Sequence, residues 1–137
     1  MLDTLRAGIA HTMEYVVPAE RTVPNLLPEA PEFTGMPPVL ATGYLVGIIE
    51  WACMQAIAPH LEEGEISLGT HVDVSHVAPT VPGSTVRIDV TVTEVAGRAV
   101  AFDVVAADEY ATISTGSHRR GVVNAERFVS RLPSDKA

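Results

Sequence analysis

The sequence predicts an α+β fold in which an antiparallel β-sheet wraps around one central apolar helix. Three observations carry that prediction. The stretch from Thr42 to Ala58, TGYLVGIIEWACMQAIA, is apolar all round except for a single carboxylate, Glu50, and a helix without a polar side is normally buried on every side. From Ile66 to Asn124 the helical period gives way to alternating runs, the pattern of strands with one covered face. The links between those runs are mostly short, and short links join antiparallel neighbours.

The first strand is expected at His11–Val17, where Met13, Tyr15 and Val17 alternate with Thr12, Glu14 and Val16, and Pro18 ends it. Between Pro24 and Pro38 stand Pro24, Pro28, Pro31, Pro37 and Pro38, too many for a regular helix or a central strand. With Leu26, Leu27, Phe33 and Met36 available to pack, residues 24–38 read as an ordered loop or lid. Thr42 is placed to cap the helix and Pro59 to end it. Gly43, Gly47 and Glu50 share one side of that helix.

Ile66–Val77 gives Ile66, Leu68, Thr70, Val72, Val74 and His76 as the covered face, opposite Ser67, Gly69, His71, Asp73 and Ser75. Val86, Ile88, Val90 and Val92 make the next covered face, and Ala96-Gly97 turns the chain into Val100, Phe102, Val104 and Ala106. A last strand runs over Ala111–Asn124, followed by a short helix over Ala125–Leu132 and a fraying tail at 133–137.

Length and charge narrow the function. At 137 residues the chain suits a single domain spanning 1–137. Apolar residues make up 47% and charged residues 19%, a globular balance. A net charge of −8 argues against a nucleic-acid surface. The N-terminal segment lacks the basic-then-apolar layout of a signal peptide, and Glu50 breaks the longest apolar run before it reaches the ~20 residues a membrane span needs. The expectation is a cytoplasmic protein with no membrane partner. Cys53 is the only cysteine, which excludes an intrachain disulfide and reads as a buried structural thiol. His71 and His118 have no carboxylate cluster at ligand spacing, so no metal is expected.

The chemistry gathers on the helix. An ionised carboxylate among apolar neighbours demands a partner, and His76, on the strand face expected to meet the helix, is the one proposed for Glu50. With the hydroxyl of Thr42 at the helix N-terminus, these are the parts of an acyl-transfer site. Taken singly, Thr42 reads as a cap and His76 as a core histidine. Gly69 reads as a bulge or twist site, or as a backbone N–H aimed at an oxyanion. Arg120, in SHRRGVV, is the candidate for an anionic group, while taken alone it reads as an edge-strand surface charge.

The segments VLATGYLVGIIEWACMQAIAPHL, GEISLGTHVDVSHVAPTVPGSTV and GSHRRGVVNAERF, with EYVVP and PEAPEF before them, resemble the hot-dog-fold thioesterases typified by fluoroacetyl-CoA thioesterase. The resemblance covers about Glu14 to Phe128. It implies a hot-dog homodimer that hydrolyses an acyl-CoA thioester in clefts near the subunit interface, with CoA as part of the substrate and no separate cofactor. The family's catalytic threonine, glutamate and histidine fall on Thr42, Glu50 and His76. Its substrate-contacting glycine and arginine fall on Gly69 and Arg120. Phe33 matches one phenylalanine of the family's aromatic lid, whereas Met36 stands where the other would be. Met lacks an aromatic edge and face, so the resemblance implies a short-chain acyl-CoA thioesterase and leaves preference for a fluorinated acyl group open. A non-catalytic acyl-CoA-binding module and a hydratase would use the same fold.

Overall fold

The computed structural model describes residues 1–134. The last three residues of the expected tail, 135–137, lie outside that range. Strand β1 (Ala10–Val16) is followed by two short 3-10 turns, at Ala19–Arg21 and Val23–Asn25, and one turn of helix, α1 (Pro31–Thr34). The long helix α2 (Thr42–Ile57) comes next, then β2 (Glu65–Val74), β3 (Thr85–Ala96), β4 (Ala99–Ala107), β5 (Thr112–Asn124) and a terminal helix α3 (Ala125–Ser130). The five strands form one antiparallel sheet in the order β1-β3-β4-β5-β2. Its inner face curls over α2, the hot-dog arrangement that the resemblance implies.

Alternation in β3 and β4 matches the expected faces: Val86, Ile88, Val90 and Val92, then Val100, Phe102, Val104 and Ala106, are all buried against the helix side. Between them Ala96 pairs with Ala99, leaving Gly97-Arg98 as a two-residue turn. Gly97 supplies the left-handed φ of +62° that such a turn favours. Cys53 is fully buried in the same core, and burial pushes its thiol up to about 12. Asn124 caps α3 by accepting a bond from the Arg127 amide at 2.9 Å.

Four expectations are corrected. β2 does not neighbour β3; it pairs with β5 at the far edge of the sheet. The connection through residues 75–84 is long enough to cross, and on its way carries His76 past the start of α2. Within β2 the covered face is inverted at first: Ser67 is buried while Ile66 is exposed. The register against β5 slips between Gly69 and His71, and one extra residue exchanges the two faces of a strand. Beyond the slip Val74 packs on the core as expected.

Thr42 is not the cap of α2; Ala41 occupies that position, and no side chain caps this end. Nor is α2 buried on every side. Leu45, Ile48, Ile49, Ala52, Cys53, Ala56 and Ile57 face the sheet, but Gly43, Gly47, Trp51 and Met54 form an exposed stripe, with Trp51 50% and Met54 44% accessible. A single sheet covers a single side of a cylinder.

The proline-rich segment is ordered and packed in part. Leu26 lies over α2 where Gly43 leaves room, since a Cβ at Gly43 would come within 3.2 Å of it. The Tyr44 hydroxyl donates to the Asn25 carbonyl at 3.1 Å. Leu27 and Met36 stay on the surface.

Candidate active site

Two polar pairs stand on α2, eight residues apart. At its start the Thr42 hydroxyl lies 2.7 Å from Nδ1 of His76. His76 sits just past β2, in a stretch still tied to β5 by the Ser75 and Val77 amides, which donate to the Thr115 and Ile113 carbonyls. Its other ring nitrogen, Nε2, is buried with no hydrogen-bond partner among the described residues. Burial lowers the pKa of His76 below the ordinary value of 6.5, which favours the neutral ring, the form that accepts a proton. A cleft of about 300 Å³ opens beside the pair, lined by Val23, Val39, Leu40 and Val77 among others.

Halfway along the helix, Glu50 reaches the inner face of β2 and β5. Its Oε1 accepts a bond from Nη1 of Arg120 at 2.9 Å. The Arg120 side chain is 3% exposed and that of Glu50 37%, so the cation lies behind the carboxylate and the carboxylate meets solvent. The pairing expected between Glu50 and His76 does not form; each has another partner. Arg120 is likewise no surface charge, because β5 lies between β4 and β2 rather than at an edge. A buried guanidinium needs both a counter-ion and acceptors, and Glu50, Ser67 and His118 supply them.

Gly69 completes this half of the site. A Cβ on Gly69 would stand 2.7 Å from Oε1 of Glu50 and 3.5 Å from Nη1 of Arg120. The absence of a side chain there is what lets the carboxylate lie against the strand. Gly69 also borders the register slip, in keeping with the bulge reading of a strand glycine.

Two residues of this cluster escape a reading of the sequence. Ser67 falls on the face expected to meet water, and its hydroxyl instead accepts from Nε of Arg120 at 2.8 Å. In the sequence His118 stands out only as a metal candidate without partners. It is buried, stacked on Phe102 with ring centres 6.2 Å apart, and its Nε2 lies 3.1 Å from Nη1 of Arg120. The signal was present in the spacing, since His118, Arg120 and Val122 share one strand face and Val122 is plainly apolar. Phe33 and Met36 are not drawn into the cluster: neither lines the cleft at Thr42 and His76, and Met36 is half exposed.

Comparison with known proteins identifies the family. The family model for fluoroacetyl-CoA-specific thioesterase matches residues 19–126. The chain belongs to that thioesterase family. Among the family's characterised members, the fluoroacetyl-CoA thioesterase of Streptantibioticus cattleyicolor is 45% identical over 132 residues, covering 96% of this chain and 95% of that one. A crystal structure of the fluoroacetyl-CoA thioesterase superposes with a TM-score of 0.95 at 43% identity, covering 98% of this chain and 100% of the other. A mutant of the same enzyme in complex with fluoroacetate and CoA superposes with a TM-score of 0.88 at 46% identity, over 90% of this chain and 99% of that one.

Proposed function

We propose that this protein is an acyl-CoA thioesterase that hydrolyses a short-chain acyl-CoA to the free acid and CoA. The observation that carries the reading is Glu50, a solvent-facing carboxylate at the family's catalytic position with a buried cation behind it. Arg120 engages Oε1, leaving Oε2 to take a proton from water. That water adds its oxygen to the thioester carbonyl carbon. Thr42, oriented by His76, and the backbone N–H of Gly69 serve the oxyanion that develops. Collapse breaks the C–S bond, the acyl group keeps the hydroxyl, and the proton passes to the departing sulfur. Phe33 and Met36, which stand outside the cleft of the single chain, are assigned to the lid by the family resemblance. The two relatives found with fluoroacetate and CoA, or named for fluoroacetyl-CoA, support a small acyl group.

The working form in this reading is a homodimer in the cytoplasm, where acyl-CoA thioesters are found. Eight residues of helix separate Thr42 from Glu50 by ~12 Å along the axis, too far for both to act on one carbonyl. A second copy supplies the missing half. The exposed stripe at Trp51 and Met54 and the unpaired edge of β2 are the surfaces available to it.

Purified protein incubated with acetyl-, propionyl-, butyryl- and fluoroacetyl-CoA, with release of free thiol followed, is expected to turn over at least one of them. Saturable binding of all four without hydrolysis would leave a binding module and remove the enzyme. In a single turnover in oxygen-18 water, a general base sends the label only into the product, whereas an attacking carboxylate whose mixed anhydride is opened by water at the Glu50 carbonyl sends it into Glu50.

A further inference from the structure

We infer that His118 and Ser67 are positioning residues for hydrolysis, holding Arg120 in the one orientation that presents Glu50 to the substrate; this rests on the thioesterase reading above. A guanidinium has five N–H groups in a fixed planar fork, and four of those of Arg120 are spent on named acceptors. Nε donates to the Ser67 hydroxyl at 2.8 Å and Nη2 to the Ser67 carbonyl at 2.9 Å. Nη1 donates to Glu50 Oε1 at 2.9 Å and to His118 Nε2 at 3.1 Å. With both ends of the fork fastened to β2 and β5, the arm aimed at Glu50 cannot swing.

The lock depends on one histidine tautomer. Nδ1 of His118 lies 2.8 Å from the carbonyl oxygen of His71, which can only accept, so Nδ1 carries the hydrogen. Nε2 is then a bare lone pair, the state that Arg120 requires. The backbone that imposes this choice is the register slip itself, since His71 is the first residue paired with β5 beyond it. The bulge re-aims a carbonyl at His118, His118 turns an acceptor toward Arg120, and Arg120 fixes Glu50. Stacking on Phe102 holds the ring in plane with a 25° tilt. The groups around His118 are Glu50 from α2, His71 from β2, Phe102 from β4 and Arg120 from its own strand.

The test separates positioning from packing. His118→Phe keeps a flat ring on Phe102 and removes the acceptor; kcat is expected to fall ~10- to 100-fold, the cost of a misplaced reacting group, with KM little changed. His118→Gln restores an acceptor toward Arg120 and should recover part of that loss. A folded His118→Phe variant with wild-type kcat overturns the inference, as does a His118→Gln variant that is folded and no better than His118→Phe. Should His118→Phe fail to fold, Ser67→Ala decides, because losing the Nε anchor should lower kcat at unchanged KM and wild-type kcat would overturn the proposal. Independently of activity, nitrogen-15 NMR of the wild-type histidines should find His118 protonated at Nδ1 and bare at Nε2; the opposite tautomer overturns the lock. If the wild type hydrolyses no thioester, the hydrolysis reading falls while the NMR measurement still decides the geometry.

Discussion

Arg120 meets Glu50 from inside the protein, and the two are joined across 2.9 Å although they stand 70 residues apart in the chain. Glu50→Gln keeps the shape and removes the charge, so kcat should fall ~100-fold or more, the range associated with loss of a general base. The same change leaves Arg120 buried without its counter-ion. Glu50 is over a third exposed, so solvent softens the penalty, and a loss of about 1 kcal/mol in denaturant unfolding is expected. Full activity in this variant would remove Glu50 from the mechanism.

Gly69→Ala probes the same contact from the strand. Its new Cβ would lie 2.7 Å from Glu50 Oε1, the far end of a flexible side chain that can move aside, and 3.3 Å from Cε1 of the His118 ring, which must give by a few tenths of an ångström. The expected variant melts close to the wild type but has lost most of its turnover. An unfolded variant, or an active one, would show that the close approach is not what Gly69 is for.

Acid should weaken both fold and activity through the histidines. Burial is the leading cause that lowers the pKa values of His76 and His118 below 6.5, and for His118 the bond to the His71 carbonyl works in the opposite direction. Because the folded values lie below the unfolded one, the unfolded chain binds protons first as pH drops. This contribution to stability is complete above 6.5 and is lost as pH falls through the folded values. Denaturant midpoints from about pH 8 to pH 5 should hold level and then decline, and the decline should shrink in His76→Gln. The rate should fall on the same acid side, since protonation of His118 removes the Nε2 lone pair that accepts from Arg120.

Met36→Phe restores the second phenylalanine that the family resemblance places in the lid. The ratio of kcat/KM for fluoroacetyl-CoA over acetyl-CoA is expected to rise in this variant. A ratio that stays put would locate selectivity away from residue 36.

A site shared between two copies makes a prediction that a site within one copy does not. Mixed dimers of Glu50→Gln and His76→Ala chains contain one cleft with both residues intact if each cleft draws one residue from each copy. Two inactive variants should then regain activity on mixing and subunit exchange, and sedimentation should find dimers. No recovery in verified mixed dimers would confine the chemistry to single chains.

Local pattern was legible where local pattern decides the structure. Val86 through Val92 and Val100 through Phe102 alternate without a break, and each lies on the face its parity assigns. Glu50 was legible as a charge in need of a partner. The partner was not, because pairing across 70 residues leaves no periodic trace, and an arginine in an alternating strand reads as its solvent side. β2 misled for a related reason: its buried position at Ser67 is polar, and its bulge at Gly69 to His71 reverses parity midway. The helix misled because its apolar stripe at Trp51 and Met54 is exposed, and an exposed apolar residue on a helix looks, in sequence, like a buried one.

Cys53 is fully buried, with its thiol pushed up to about 12, so in the folded enzyme it is closed to disulfide reagents and contributes no signal when they are used to count released CoA. The same closure makes it a built-in reporter. Any labelling of Cys53 marks a molecule that has opened its core, and the labelling rate in the absence of substrate measures how often that happens.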